Sequence, residues 1–192
     1  METLIENASF VCLDTETTGL NPLAGGRICE VALLASKGGK RTGTFSTLLN
    51  PQVVITPDVT AIHGITNEMV AQSPKFEDIA MQLISYLDGS VLICHNADFD
   101  TAFLANEFNL IGLKMPQIVI LDTLKFARTN GNFERNRLGN IAQQLGISSE
   151  GWHRAMADTV MTEKIFYYFM YKFKRAGAKT VGDLHALQTK KI

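Results

Sequence analysis

Residues Ser9 to Asp14 read Ser-Phe-Val-Cys-Leu-Asp, a short apolar run suited to a buried central strand. Two further strand-type runs follow, Arg27 to Ser36 and Lys40 to Leu49. Between them Lys37-Gly38-Gly39-Lys40 is a turn signal, so the two runs are expected to pair as a hairpin. The same Gly-Gly-Lys could suggest a phosphate loop, but it lacks the spacing of a Walker motif and joins two strands, so it is read as a turn.

Helical patterns dominate from there on. Pro57 to Met69 reads as short helical pieces around His63-Gly64. Phe76 to Leu87 places Phe76, Ile79, Ala80, Leu83, Ile84 and Leu87 at helical spacing with one buried face. Ser90 to Cys94 is a fourth strand, leading into a helix over about Ala97 to Leu110, and Gln117 to Leu121 is a fifth. Short helices are expected near Asp122–Arg128 and Leu138–Leu145, a long one from about Arg154 to Lys174, and a small one over Val181–Gln188. With no internal repeat, low-complexity tract or clear linker, one α/β domain with a mixed sheet is the simplest account. It would occupy residues 1–176, with 177–192 a short C-terminal helix and tail.

Composition narrows the class. The 192 residues are 46% hydrophobic and 19% charged, ordinary for a globular protein. No apolar run approaches the roughly 18 residues that span a bilayer. The start, Met1-Glu2-Thr3-Leu4-Ile5-Glu6, lacks the basic region of a secretory signal. No membrane association and a cytoplasmic location are therefore expected. Cys12, Cys29 and Cys94 sit in apolar stretches and read as buried thiols, not as a disulfide frame or zinc site. A net charge of −1 argues against a protein that wraps or slides along nucleic acid, but not against one that grips a strand end. Arg128, Arg135 and Arg137 form one basic cluster and Lys172, Lys174 and Arg175 another; both read as solvated loop and helix-end residues.

Candidate chemistry falls in three places. Asp14 and Glu16 are two apart, so on a strand their side chains share a face if the strand continues to Glu16. They lie where a buried strand meets a polar loop, and the carboxyl ends of strands are where α/β folds place their sites. Two such carboxylates repel unless a cation lies between them, a task suited to a hard divalent ion. The second place is His95-Asn96-Ala97-Asp98-Phe99-Asp100, again following a buried strand and opening a helix. Asp98 and Asp100 are about 200° apart on a helical wheel, so both cannot face one centre, and spacing does not choose between them. The third is Trp152-His153-Arg154-Ala155-Met156-Ala157-Asp158-Thr159 at the start of the long helix. If His153 lies in the loop before that helix, it and Asp158 can reach one pocket in different roles. Each segment alone has a bland reading: a solvated strand end, dipole partners in a first helical turn, a capping Asp with a surface His.

Together the three segments resemble the DnaQ-like DEDD exonucleases of the histidine subtype (DEDDh), the family of bacterial polymerase proofreading subunits such as the epsilon subunit of DNA polymerase III. Asp14-Thr15-Glu16-Thr17-Thr18-Gly19-Leu20 is similar to the family's first motif without departure. His95-Asn96-Ala97-x-Phe99-Asp100 resembles the second, where the acidic residue after Phe is the functional one; the resemblance selects Asp100 and leaves Asp98 at a variable position. His153-Arg154-Ala155-Met156-Ala157-Asp158 resembles the third. His63-Gly64-Ile65-Thr66 and the Leu138 to Ile147 segment agree, and the likeness covers roughly residues 8 to 175.

The resemblance implies a ribonuclease H-like fold, a mixed five-stranded sheet with helices on both faces. It implies a 3′→5′ exonuclease releasing nucleoside 5′-monophosphates from the 3′ end of DNA, in proofreading or repair trimming. Asp14, Glu16, Asp100 and Asp158 would hold two Mg²⁺ or Mn²⁺ ions: Asp14 bridging, Glu16 and Asp158 completing one site, Asp100 holding the other. His153 would act as general base. Thr17 would engage the terminal 3′-hydroxyl, while Leu20, His63, Asn96 and Phe99 would line the pocket for the last nucleotides. Against this, Leu20 and Phe99 could be core and His63 a turn residue; His95 reads as a satisfied core histidine, and His185 has no role. An RNA-trimming exoribonuclease or oligoribonuclease is one alternative function, and a non-catalytic polymerase accessory subunit another. The implied partners are a single-stranded or frayed 3′ end and a DNA polymerase catalytic subunit. Only about 17 residues follow the long helix, shorter than the polymerase-binding tail of replicative subunits, so tight attachment is not expected.

Overall fold

The computed structural model describes residues 1–151 and 153–192; Trp152, quoted above in the third segment, lies outside the described residues. Strand β1 (Ser9–Thr17) is followed by a 3-10 turn (Pro22–Ala24), then β2 (Ile28–Lys37) and β3 (Lys40–Leu48). Next come α1 (Pro57–His63), α2 (Asn67–Val70), α3 (Phe76–Leu87), β4 (Val91–Cys94), α4 (Ala97–Leu110) and β5 (Val119–Asp122). The chain ends with α5 (Thr123–Asn130), α6 (Leu138–Gln144), α7 (Ala155–Arg175) and α8 (Val181–Ala186). The 3-10 turn had no sequence expectation, and β1 continues three residues past Asp14, carrying Glu16 with it.

The sheet has five strands in the order β3-β2-β1-β4-β5. The β1–β2 and β2–β3 pairs are antiparallel, while β1–β4 and β4–β5 are parallel. Gly38 and Gly39 join β2 to β3 at φ of +57° and +75°. Positive φ at both central residues matches the twist of paired strands, which is why two glycines serve here.

Alternation along β1 divides the core. Phe10 and Cys12 face a layer built from α5, α6, α7 and α8, with Phe126, Ile141, Phe166, Phe169, Phe173 and Leu184. Val11 and Leu13 face the opposite layer, where α3 and α4 supply Phe76, Leu83, Phe103 and Phe108. Helices therefore cover both faces, and β2 is buried along all but its last residue. All three cysteines are buried free thiols. Helix α8 belongs to the first layer: Gln188 just beyond it donates to the Ile120 carbonyl and accepts from the Asp122 N–H, and Leu4 bridges to Thr180. Among the described residues no helix is long and apolar enough to cross a membrane.

Candidate active site

The parity that sorts the core also sorts the acids. Asp14 and Glu16 share a face with Phe10 and Cys12, so they point toward the layer containing α7. Asp158, in the first turn of α7, meets them there. One carboxylate oxygen from each of Asp14, Glu16 and Asp158 lies within 4.8 Å of the others. Thr15 points the other way, toward α4, where its N–H and hydroxyl both donate to Asp100 Oδ1 at 3.0 and 2.8 Å. Asp100 thus comes to the same strand end from the opposite layer. A register shift between Glu16 and Thr17 closes the β1–β2 ladder, a bulge of the kind that terminates pairing beside sites.

The electrostatics are those of crowded anions. Burial first, then Asp100, Asp158 and Glu16, drives the Asp14 carboxyl well above the usual range. Burial, then Asp158 and Glu30, pushes Glu16 up to about 8. Asp158 rises to about 7, chiefly through burial, and an N–H from the His153 backbone holds it from going higher. Burial lifts Asp100 to about 7 against the opposing hydrogen bonds of Thr15. Asp158 Oδ1 is buried with no hydrogen-bond partner in the protein. An orphaned carboxylate oxygen, two more within reach and an all-oxygen donor set fit a hard divalent cation such as Mg²⁺ or Mn²⁺.

His153 sits in the loop before α7, exposed, at φ +64°. A left-handed conformation is uncommon for a residue with a side chain and turns the chain sharply between the loop and the helix. What fixes the turn is Glu30. Its carboxylate, 4% exposed, accepts from Arg154 Nε at 3.1 Å and from an Arg154 terminal nitrogen at 2.7 Å, and from the Ala155 N–H at 2.9 Å. Glu30 also stands directly opposite Glu16 across the β1–β2 pair. Like charges so placed repel, and the Arg154 guanidinium offsets that. Glu30 was not singled out in the sequence, although a glutamate inside the otherwise apolar Ile28–Ala35 run was the available signal.

The remaining candidates are placed as follows. Thr17, buried, donates to the Gly19 carbonyl at 2.7 Å. Leu20 is 88% exposed on the loop after β1. Asn96 is exposed at φ +72°, and its N–H donates to Asp122 Oδ1 at 3.0 Å, which sets the start of α4. Phe99 is half-buried against Phe103, ring centres 4.9 Å apart. His63 is only 4% exposed; its Nδ1 accepts from the Ile65 N–H at 3.0 Å and its Nε2 lies 3.8 Å from Cys29 Sγ. Those contacts describe a buried turn histidine, with its pKa lowered mainly by burial. His95 has both ring nitrogens engaged, with Thr123 Oγ1 at 2.9 Å and the Asn136 carbonyl at 3.0 Å, as a core histidine would. Asp98 is exposed and pairs with Lys125 at 3.2 Å, away from Asp100.

Comparison with known proteins adds an independent line. Residues 11–166 match the RNase_T family, described as an exonuclease. A DNA polymerase III subunit epsilon-like protein of Rhodobacter capsulatus is 36% identical over 185 residues, covering 94% of this chain and 26% of that protein. The chain thus spans about a quarter of that relative's length. The DNA polymerase III subunit epsilon of Buchnera aphidicola subsp. Schizaphis graminum is 35% identical over 168 residues, 82% of this chain and 72% of that one. Among solved structures, Exonuclease X in complex with 5′ overhanging duplex DNA superposes with a TM-score of 0.73 at 25% identity, covering 93% of this chain and 99% of that one.

Proposed function

Starting from the premise that this chain belongs to the RNase_T exonuclease family, we propose that it hydrolyses DNA from the 3′ end, releasing nucleoside 5′-monophosphates. The observation that carries the reading is the meeting of Asp14, Glu16 and Asp158 within 4.8 Å, with Asp100 close enough to raise the pKa of Asp14 and the His153 backbone bonded to Asp158. A structural cluster would not leave a buried carboxylate oxygen without a partner and four neighbouring acids all pushed up, each chiefly by burial and further by nearby carboxylates.

Asp14, Glu16 and Asp158 would hold one divalent cation, and Asp100 with Asp14 a second. When bound, such a pair supplies Lewis-acid stabilisation of the oxygens that attack and leave the phosphorus. The protein's own groups do the rest. His153 takes the proton of the attacking water on its imidazole, and its position depends on the Glu30–Arg154 clamp immediately after it. Thr15 orients Asp100 through two hydrogen bonds, so this carboxylate is fixed before substrate arrives. Leu20 and Phe99 offer apolar surface for the last nucleotides, and base stacking of roughly 1–3 kcal/mol per base tolerates any sequence.

DNA is favoured over RNA because the relatives carry DNA polymerase III names and Exonuclease X was solved with duplex DNA. The same names bring a polymerase catalytic subunit forward as a partner, in transient and not tight association. Matched 5′-labelled DNA and RNA oligonucleotides, incubated with Mg²⁺ and with chelator, test the reading. The expected result is a ladder shortening from the 3′ end of DNA, dependent on Mg²⁺ and absent in Asp14→Ala. Equal or faster shortening of RNA would move the assignment to an exoribonuclease, and undiminished activity in Asp14→Ala would remove the metal site.

A further inference from the structure

The parallel strands β1, β4 and β5 lie side by side, so their carboxyl ends open on one edge of the sheet. The acids stand at the end of β1, α4 starts from the end of β4, and α5 starts from the end of β5. Neighbouring strands are about 4.8 Å apart, so the start of α5 is displaced about 10 Å from the acidic cluster along this edge. Helix α5 carries Lys125 and Arg128, three residues apart and hence on one side. The loop after α5 is tied to the same edge: His95, one residue before the α4 N-cap, meets the Asn136 carbonyl with one ring nitrogen and Thr123 of α5 with the other. Asn136 is flanked by Arg135 and Arg137. His95 therefore fixes the loop bearing these arginines against the helix that carries Asp100.

Arg128, Arg135 and Arg137 are all exposed, and among the described residues none pairs with a carboxylate. The acids nearby are spoken for or open to water: Asp122 is buried and accepts from two backbone N–H groups, Asp98 pairs with Lys125, and Glu134 is exposed. In the other basic cluster Lys172 is already engaged, donating to the Asn130 carbonyl at the end of α5. Lys174 is sixteen residues beyond Asp158 on α7, roughly 24 Å along the helix axis. A near-neutral chain supplies no general positive field to offset an acidic reaction centre, and bound cations would neutralise only the phosphate being cleaved. Guanidinium groups carried one helix start away, two of them on a loop whose backbone His95 ties down, can hold the phosphates that follow, in the forked geometry arginine favours.

Resting on the exonuclease reading above, we propose that Arg128, Arg135 and Arg137 form a phosphate-binding rim for the DNA strand upstream of the scissile phosphate. The rim sets a preference for substrates several nucleotides long over isolated nucleotide esters. It engages backbone and not bases, so it carries no sequence preference.

Two measurements on the full chain test this. Hydrolysis of thymidine 5′-monophosphate p-nitrophenyl ester is compared with that of a 20-nucleotide single-stranded DNA, in wild type and in the triple variant Arg128→Ala/Arg135→Ala/Arg137→Ala. The preference for the 20-mer, as a ratio of kcat/KM values, is expected to narrow by about tenfold or more, with the loss in KM. Binding of a fluorescent 20-mer at several salt concentrations is followed by anisotropy, which needs no catalysis. The slope of log K against log salt should fall by about 2, from roughly 0.7 per lost phosphate contact on a single strand. Arg→Lys replacements, which keep the charge, should restore most of the slope. Proportional losses on ester and 20-mer, or an unchanged salt slope, would overturn the rim. Wild-type protein that cleaves neither substrate but binds the 20-mer with the predicted slope difference would count against the exonuclease reading and leave the rim standing.

Discussion

Replacing Glu16 by Gln should stabilise the metal-free protein while removing its activity. Folding raises the Glu16 pKa from 4.5 to about 8, so the native state binds this proton more tightly than the unfolded chain does. Stability contributed by this group therefore falls as pH rises from about 4.5 and levels off above about 8. At pH 7.5 the three pH units above 4.5, at about 1.4 kcal/mol each, set a ceiling of about 4 kcal/mol on the cost. Glu16 is partly open to solvent and shares its repulsion with Asp158, Glu30 and Asp100, which brings the expected cost to about 2 kcal/mol. A neutral amide of the same shape removes it. For a chain of this length, that is a rise in Tm of roughly 4–8 °C. The assay is thermal unfolding with chelator present, at pH 7.5 and at pH 4. The variant should melt higher than wild type at pH 7.5, and the two should nearly converge at pH 4, where the wild-type carboxyl is largely protonated in both states. Adding Mn²⁺ should raise wild type more than the variant, because a bound cation relieves the same repulsion. A metal-free variant that melts at or below wild type at pH 7.5, or an advantage independent of pH, would refute the claim that this strand end stores carboxylate repulsion.

Glu30→Ala should lower stability by about 2 kcal/mol, since it strips the Ala155 N–H and the partly exposed Arg154 of a charged acceptor. The denaturation midpoint should drop and kcat fall with it, and Glu30→Gln should recover part of both; an unmoved midpoint would mean the clamp holds nothing. His153→Ala should reduce kcat by about 10²–10⁴-fold while the Mn²⁺-induced rise in Tm is kept. Loss of that thermal response together with the rate would assign His153 to holding the ion. Leu20, 88% exposed, should be replaceable by Ala with no change in Tm and a several-fold higher KM for DNA. A clear drop in Tm would show that it supports the fold instead.

The elements were legible because their signals are local. The apolar runs at β1 and β4, the glycine pair of the hairpin and the helical spacing of Phe76–Leu87 each depend on neighbours within a few residues. The pairing of Asp14 with Glu16 was legible for the same reason, once β1 ran on to Thr17. What periodicity left open was which acid of α4 turns inward; Asp100 is buried and Asp98 is paired with Lys125 in solvent. The clamp from Glu30 to Arg154 spans 124 positions, and the link from Gln188 to Asp122 spans 66. No local pattern encodes such contacts. The left-handed turn at His153 and the burial of His63 are likewise consequences of tertiary packing, invisible to residue spacing.

The strand end explains why the acids converge from separate parts of the chain. Because β1 is central, its alternate residues look into different helical layers: Asp14 and Glu16 toward α7, Thr15 toward α4. Past Leu13 the apolar side chains of β1 give way to the polar Asp14, Thr15, Glu16 and Thr17. Asp158 comes in from one layer and Asp100 from the other, each steadied by a backbone N–H, from His153 and Thr15 respectively. Had Asp14 been shifted by one residue, its carboxylate would face α4 and the group with Glu16 and Asp158 would be broken. The register of β1 against β2 and β4 is therefore as much a determinant of the site as the acids themselves.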